Sequence, residues 1–350
     1  MSYGGKNNDG AESIIKSPDG GYVISGYGIF DEFVLDYGTL LLKIDESGKE
    51  EWSGNYGVDY VGESVVIASD TAYVVVGRYG SLAKVDSDGN ELWVKQYGGE
   101  GSDNTFALQK TSDNGYVISG YTTSFGADEE DAWILKVDSD GNQLWSTISG
   151  LEGSDQVESV QETTTGDFVV AGYTTVKGSG NADGLVIKFD STGNKVWAKQ
   201  YGGDAPDFAN TILNTDDGGY IVSGRSSSFS SPSVPWIFKL DSDGNEVWSK
   251  TYNNFPYAII FQMAQTSDGG YILAGWSGGT PDVLAIKVDS SGNEIWARTI
   301  GGADSDYANS VEQTTDGGYI FAGVTQTYSA GSGDVWILKL DTDGYCDTDF

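Results

Sequence analysis

Hydrophobic and polar positions along the chain recur in short blocks, not in helical periods. An apolar run entered through a turn reads DGGYVISG from Asp19, TAYVVVG from Thr71, DNGYVISG from Asp113 and TGDFVVAG from Thr165. It returns as DGGYIVSG from Asp217, DGGYILAG from Asp268 and DGGYIFAG from Asp316. A second phrase follows each: KIDESGKEEW, KVDSDGNELW, KVDSDGNQLW, KFDSTGNKVW, KLDSDGNEVW, KVDSSGNEIW and KLDTDGYCDTDF. Its aspartates, Asp45, Asp86, Asp138, Asp190, Asp241, Asp289 and Asp341, are spaced by 41, 52, 52, 51, 48 and 52 residues. Self-similarity at such a period marks a repeat architecture.

Each copy reads as four strands. In the last copy strand a lies near NSVEQT from Asn309, strand b is YIFAGVT and strand c is DVWILKLD from Asp334. Strand d is clearest in the sixth copy, NEIWARTIGG from Asn293. The nearly continuous apolar cores of strands b and c suit sheets covered on both faces. Asp-Gly turns supply the positive φ of tight hairpins. An open array would leave an apolar face bare at each end, and radial closure removes it. Tyr3-Gly4-Gly5 matches the strand-d endings Tyr97-Gly98-Gly99 and Tyr201-Gly202-Gly203, and the seventh copy lacks its own. The pattern therefore predicts an all-β fold: one domain over residues 1–350, a seven-bladed β-propeller of four-stranded antiparallel blades, closed by N- and C-terminal strands sharing the last blade.

Charge and composition narrow the chemistry. The 19 basic and 52 acidic residues leave a net charge of −33, which repels phosphate backbones and anionic headgroups. Nucleic acid is excluded as a partner, and no 18-residue apolar run supports membrane insertion. Histidine is absent, which removes Ser-His-Asp and Cys-His catalysis and histidine-ligated metals. The single cysteine, Cys346, excludes an intrachain disulfide. The opening MSYGGKNND is not a secretory leader, so the chain is either cytoplasmic or has lost one.

Six tryptophans share one strand-d position: Trp52, Trp93, Trp145, Trp197, Trp248 and Trp296. Trp133, Trp236 and Trp336 share a strand-c position. Periodicity makes both sets structural fillers between blades. Trp276 fits neither set and is expected at the start of a b–c loop as a ligand contact. In KVDSDGNELW, Asp86, Asp88 and Asn90 offer calcium three oxygens, but no bidentate glutamate follows, and other copies replace the middle Asp by Ser47, Thr192 or Ser291. A hairpin turn accounts better for the phrase, so the expectation is no cofactor, with calcium the weak exception. Its Asp-Gly-Trp spacing resembles the tryptophan-docking motif of quinoprotein dehydrogenase propellers, which locks blades without touching the cofactor.

The a–b and c–d hairpins are nearly identical in every copy, whereas the b–c loops and d–a crossovers diverge. Function sits preferentially on variable loops held by a rigid scaffold. The first b–c loop carries Phe30, Phe33 and Tyr37, the second shrinks to Arg78-Tyr79-Gly80, and the third holds Asp128, Glu129, Glu130 and Asp131. The fifth holds Phe229 and the seventh Tyr328. An aspartate recurs in the crossovers as Asp9, Asp103, Asp155, Asp207 and Asp306, with a turn cap as its plainer reading. Three residues on, or at the aligned position, stand Glu12, Glu63, Phe106, Glu158, Asn210, Phe261 and Asn309. With Tyr257 and Trp276 these form the candidate ligand-binding set at a channel mouth. Carboxylates, amides and rings together suit a sugar or a cationic group.

The phrase DGGYIxAGxT…DVWILKLDSDGNxxWxKxYGG resembles a bacterial and archaeal β-propeller repeat family of predicted secreted, lipid-anchored or cell-surface proteins, and the resemblance covers essentially the whole chain. It implies an extracellular or surface location and carries no common ligand or catalytic residues. The expectation is a non-enzymatic binding or adhesion module for a carbohydrate or a protein. A self-assembling surface subunit is the alternative, and a carboxylate-dependent glycosidase or lyase ranks below both.

Overall fold

The computed structural model describes residues 1–4, 6–28, 39–57, 61–69, 71–125, 129–176, 181–279 and 282–346. Seven four-stranded antiparallel sheets follow one another, each in the order a-b-c-d, and together they make a seven-bladed β-propeller. Blades 1 to 6 span 10–56, 62–96, 103–149, 153–201, 207–251 and 259–300. Blade 7 takes strands a to c from 306–340 and its outer strand from Ser2–Tyr3. That strand pairs Ser2 with Trp336 and Tyr3 with Val335, as the matching Tyr-Gly-Gly phrases predict.

The chain divides into two compact units. One comprises Met1–Gly77, Ala83–Val94 and Tyr257–Phe350, the other Arg78–Leu82 and Lys95–Pro256. In the first, Ile14, Ile24, Leu40 and Leu42 of blade 1 bury against Ile320, Val335 and Ile337 of blade 7. In the second, Val169 and Val186 of blade 4 pack on Ile212, Tyr220, Trp236 and Phe238 of blade 5. Burying one such side chain contributes about 1.5–3 kcal/mol, so strands b and c carry most of the stability.

The repeated phrases lock neighbouring blades. Trp52 Nε1 donates to the Ser87 carbonyl in the next c–d turn, at 2.9 Å, and Trp296 does the same to Thr342 at 3.2 Å. Tyr56 and Tyr201 hydroxyls donate to the turn glycine carbonyls of Gly89 (2.6 Å) and Gly244 (2.7 Å). Tyr97 binds Gly141 and Tyr3 binds Gly48 in the same way. Gly244 sits at φ 73°, and a Cβ there would stand 2.8 Å from the Trp197 ring. Glycine is needed for the turn and for the docking ring together.

A second repeated device lies inside each blade. The strand-c lysine reaches back to the a–b turn aspartate in six blades: Lys43–Asp19, Lys136–Asp113, Lys188–Asp167, Lys239–Asp217, Lys287–Asp268 and Lys339–Asp316. A lysine buried in an apolar strand needs such a partner to keep its charge.

Candidate functional site

Strand a carries one extra residue in every blade. Its register against strand b slips at Glu12, Glu63, Phe106, Glu158, Asn210, Phe261 and Asn309. Seven of the nine candidate ligand residues are thus β-bulges, a device that re-aims a side chain and breaks the ladder locally. The bulge also explains the glycine ending each strand-b phrase. A Cβ on Gly26, Gly120, Gly172, Gly224, Gly275 or Gly323 would stand 1.9–2.0 Å from the strand-a carbonyl oxygen before the bulge.

Within each unit the bulges meet defined neighbours. In the first, Asn309 Nδ2 donates to Glu12 Oε2 at 2.8 Å and to the Ala11 carbonyl at 3.0 Å, while the Phe261 ring meets Tyr307 edge-on at 6.5 Å. Burial, then the adjacent Tyr307 hydroxyl, push the Tyr27 hydroxyl well above its ordinary pKa. In the second, Phe106 packs on Tyr121, whose hydroxyl accepts from Asn104 Nδ2 at 2.6 Å. Phe208 lies between Tyr173 (5.1 Å) and the Arg225 guanidinium (4.3 Å). Burial lowers the Arg225 pKa, and the Glu158 carboxylate opposes that shift.

Trp276 is not in a loop. It is the last residue of strand b of blade 6, paired with Ile259, and its indole Nε1 is buried without a partner among the described residues. It follows the strand-b glycine, the position held elsewhere by Tyr27, Arg78, Tyr121, Tyr173, Arg225 and Val324. Sequence reasoning missed that set, although a ring or arginine one step after the recurring glycine in six of seven copies was its signal. Tyr257 is 62% exposed in the sixth crossover, at φ 63°.

The crossover aspartates hold turns. Asp9, Asp155, Asp207 and Asp306 are fully buried and Asp103 is 8% exposed. Asp207 accepts from Gly203 N at 2.9 Å and Ser228 Oγ at 2.6 Å; Asp306 accepts from Gly302 N at 3.0 Å and Thr327 Oγ1 at 2.8 Å. Four of them face a second carboxylate at the start of the preceding strand c. A Cβ on Gly301 would lie 2.3 Å from Asp282 Oδ1 and 2.8 Å from Asp306 Oδ2, and Gly4 is placed likewise between Asp9 and Asp334. Gly150 stands in the same way between Asp131 and Asp155. In the fourth pair, burial first and then the Asp207 carboxylate raise the pKa of Asp183. Burial first and the facing carboxylate second also raise the pKa of Asp282.

On the same side of the sheets, three loop rings cover the strand-c tryptophans: Phe125 over Trp133 (6.1 Å), Phe229 over Trp236 (5.6 Å) and Tyr328 over Trp336 (5.8 Å). Each loop ring is about half exposed while its tryptophan is buried. Phe30, Phe33, Tyr37 and Asp128 lie outside the described residues. One cleft of about 270 Å³ opens beside the shortened second b–c loop, lined by Tyr79, Gln96, Tyr97, Gly98, Gly99, Gly101, Ser102 and Asp103.

The weak metal candidates are occupied by their own turn. Asp86 Oδ1 accepts from Asp88 N at 3.0 Å and Asn90 N at 2.8 Å, and Asn90 Nδ2 donates to Asp86 Oδ2 at 3.0 Å. The same Asx pattern recurs at Asp138, Asp190, Asp241 and Asp289. Among the described residues, no three Asp, Glu or Cys side chains form a metal-holding group. No helix there is long and apolar enough to cross a membrane.

Comparison with solved structures shows the fold. The WD40 propeller domain of Doa1 is 11% identical over 96% of this chain and 95% of its own, with a TM-score of 0.63. The Dos1 propeller is 11% identical over 99% and 86%, at 0.59. BamB from Moraxella catarrhalis is 13% identical over 93% and 85%, at 0.51. No curated protein matches the chain. One family model fits twice in overlapping registers, over residues 14–227 and 130–336, as an internally repeated chain allows. The chain belongs to the β-propeller family described as outer membrane protein assembly factor BamB.

Proposed function

We propose that this chain is a non-enzymatic binding module at the cell exterior, recognising a protein partner through its b–c loops and d–a crossovers. The observation that carries this reading is the distribution of exposed rings. Of the six tyrosine and phenylalanine rings 49–62% exposed among the described residues, Tyr79, Phe125, Phe229, Tyr257 and Tyr328 lie in b–c loops or crossovers, and Tyr345 alone stands in a c–d turn. Three stand on buried tryptophans, which fixes them before a partner arrives. Rigid aromatic anchors on a polar surface are the residues that dominate protein interfaces. The cleft beside the second b–c loop, at about 270 Å³, is below the size range of drug-like ligand sites. Membership of a family described as an assembly factor supports the same reading.

A peptide display library selected on the purified chain tests it, with a glycan array run in parallel. Selected peptides should lose binding to a Phe125→Ser/Phe229→Ser/Tyr328→Ser variant that keeps its melting temperature. Glycan hits lost in the same variant would transfer the site to carbohydrate. Retained peptide binding would refute the loop face altogether. A self-assembling subunit is the second reading. Leu92, Leu144, Val196, Val247 and Ile295 occupy one strand-d position and are 51–60% exposed. Light scattering of the chain against a variant with serine at all five positions separates it from the first.

A further inference from the structure

We propose that the cleft beside Tyr79 receives a basic side chain, a lysine or arginine of the protein partner. This rests on the binding reading above and names the chemistry of one of its subsites.

The cleft exists because of a mismatch in the repeat. Where strand c opens with an acid, in blades 3, 4, 6 and 7 (Asp131, Asp183, Asp282, Asp334), the next crossover carries the facing aspartate (Asp155, Asp207, Asp306, Asp9). Where strand c has no such acid, in blades 1 and 5, the aligned crossover positions are Tyr60 and Ala258. Blade 2 breaks the rule. Its b–c connection is only Arg78-Tyr79-Gly80, strand c begins at Ser81, and yet the following crossover has Asp103. In blades 3, 4, 6 and 7 a second carboxylate faces the crossover aspartate. Beside Asp103 a cleft opens instead.

The wall chemistry selects a donor. Three backbone N–H groups along the crossover are already used: Gly99 N donates to Asp103 Oδ2 at 2.6 Å, Gly101 N to Ser124 Oγ at 2.9 Å and Ser102 N to Thr123 Oγ1 at 2.7 Å. An anion entering here would find none of these three. Gln96 Nε2 is fixed by the Tyr79 carbonyl at 2.6 Å and the Tyr97 carbonyl at 3.5 Å. Two carbonyl acceptors can be served only by the amide NH₂, so Gln96 Oε1 is left to accept. The lining therefore offers the Gln96 oxygen and the ring of Tyr79, which is 50% exposed, with the Asp103 carboxylate behind them, its oxygens already accepting from Thr122 Oγ1, Gly99 N and Ser124 Oγ. Acceptors together with an aromatic face bind ammonium and guanidinium groups. A net charge of −33 draws cationic partners to the surface and raises their association rate. The volume suits one side chain, not a whole peptide.

The test titrates the full chain with acetyl-lysine methylamide and acetyl-arginine methylamide. Acetyl-norleucine methylamide serves as the neutral isostere and methyl glucoside as the sugar probe. Amide resonances of Gly98 to Asp103 are followed by NMR. The cationic amides should shift these resonances saturably, and the shifts should weaken at least threefold between 20 and 500 mM salt, figures of about the size screening gives an accessible charge pair. Tyr79→Ala should weaken binding about fivefold or more, the scale of a cation–π contact. Tyr79→Lys, whose own ammonium competes for the site, should abolish it. Tyr79 is a loop residue, so both variants should keep the parent melting temperature, and Tyr345→Ala in the last c–d turn should bind as the parent does. Equal shifts from the norleucine amide, shifts from the glucoside alone, or binding unchanged in both Tyr79 variants would each overturn the proposal. Loss of peptide binding in the triple-ring variant with no cationic preference at Tyr79 would sink this subsite and leave the loop-face reading standing.

Discussion

Replacing Glu312 with glutamine should make the protein more stable at alkaline pH and leave it nearly unchanged in acid. Glu312 lies in strand a of blade 7, and no hydrogen bond or ion pair reaches its carboxyl among the described residues. Burial pushes its pKa up to about 7 from an ordinary 4.5. The corresponding residues in the other copies are Ile15, Val66, Gln109, Gln161, Leu213 and Ala264, none of them ionisable, and two of them the amide that the substitution introduces. Between pH 4.5 and 7 the folded chain holds a proton that the unfolded chain has released. Unfolding free energy therefore falls as pH rises through that window. One pKa unit corresponds to about 1.4 kcal/mol, so the full shift costs about 3 kcal/mol above pH 8, and water reaching this half-buried group brings the expected value nearer 2. Urea denaturation of parent and Glu312→Gln from pH 4.5 to 9 measures it. The difference should be close to zero at the acid end, open through pH 5–7 and level off above 8. A difference that stays flat with pH would refute the assignment, because loss of packing would displace the whole curve equally.

Other consequences are quick to check. Gly120→Ala places a methyl 1.9 Å from the Asn104 carbonyl oxygen and should cost at least about 3 kcal/mol in chemical denaturation, whereas Gly166→Ala, at a turn with open space, should cost about 1 kcal/mol through its φ of 81° alone. Tyr201→Phe removes the hydroxyl bond to Gly244 and should lose about 1 kcal/mol, with no loss of loop-face binding. Trp236→Ala opens a cavity under Phe229 and should cost about 3–5 kcal/mol. The turn aspartates Asp113, Asp217, Asp268 and Asp316 are held near pKa 2; burial opposes the shift, and the lysine and threonine bonds drive it. Their contribution is present above pH 4 and lost as pH falls through 2, so acid unfolding should move to higher pH in Lys239→Met.

The repeat made the blade count, the strand order and the closing strand legible, because seven copies average out local ambiguity. Asp86, Asp138 and Asp241 were readable as turn caps for the same reason: where three sites share one phrase, hairpin geometry explains it. The bulge was not legible. Glu12, Phe106 and Asn210 share neither size nor polarity, and only the glycine opposite them, at Gly26, Gly120 and Gly224, marks the place. Trp276 fits neither repeated tryptophan position, which points to a loop, but backbone pairing with Ile259 decides where the strand ends. The lysine–aspartate pairs were in plain view, since a charged residue recurring inside an apolar strand cannot be buried alone.

Those lysines set how the protein meets amine-directed reagents. The chain has 16 lysines, and Lys43, Lys84, Lys136, Lys239 and Lys287 are buried, with Lys188 and Lys339 only 16% and 18% exposed at the side chain. Acylation of the folded protein should therefore fall on the others, chiefly surface lysines such as Lys6, Lys49 and Lys195. Each blade carries one shielded amine of its own. Its slow labelling, followed residue by residue, becomes a clock for the opening of that blade alone, and seven such clocks run in a single sample.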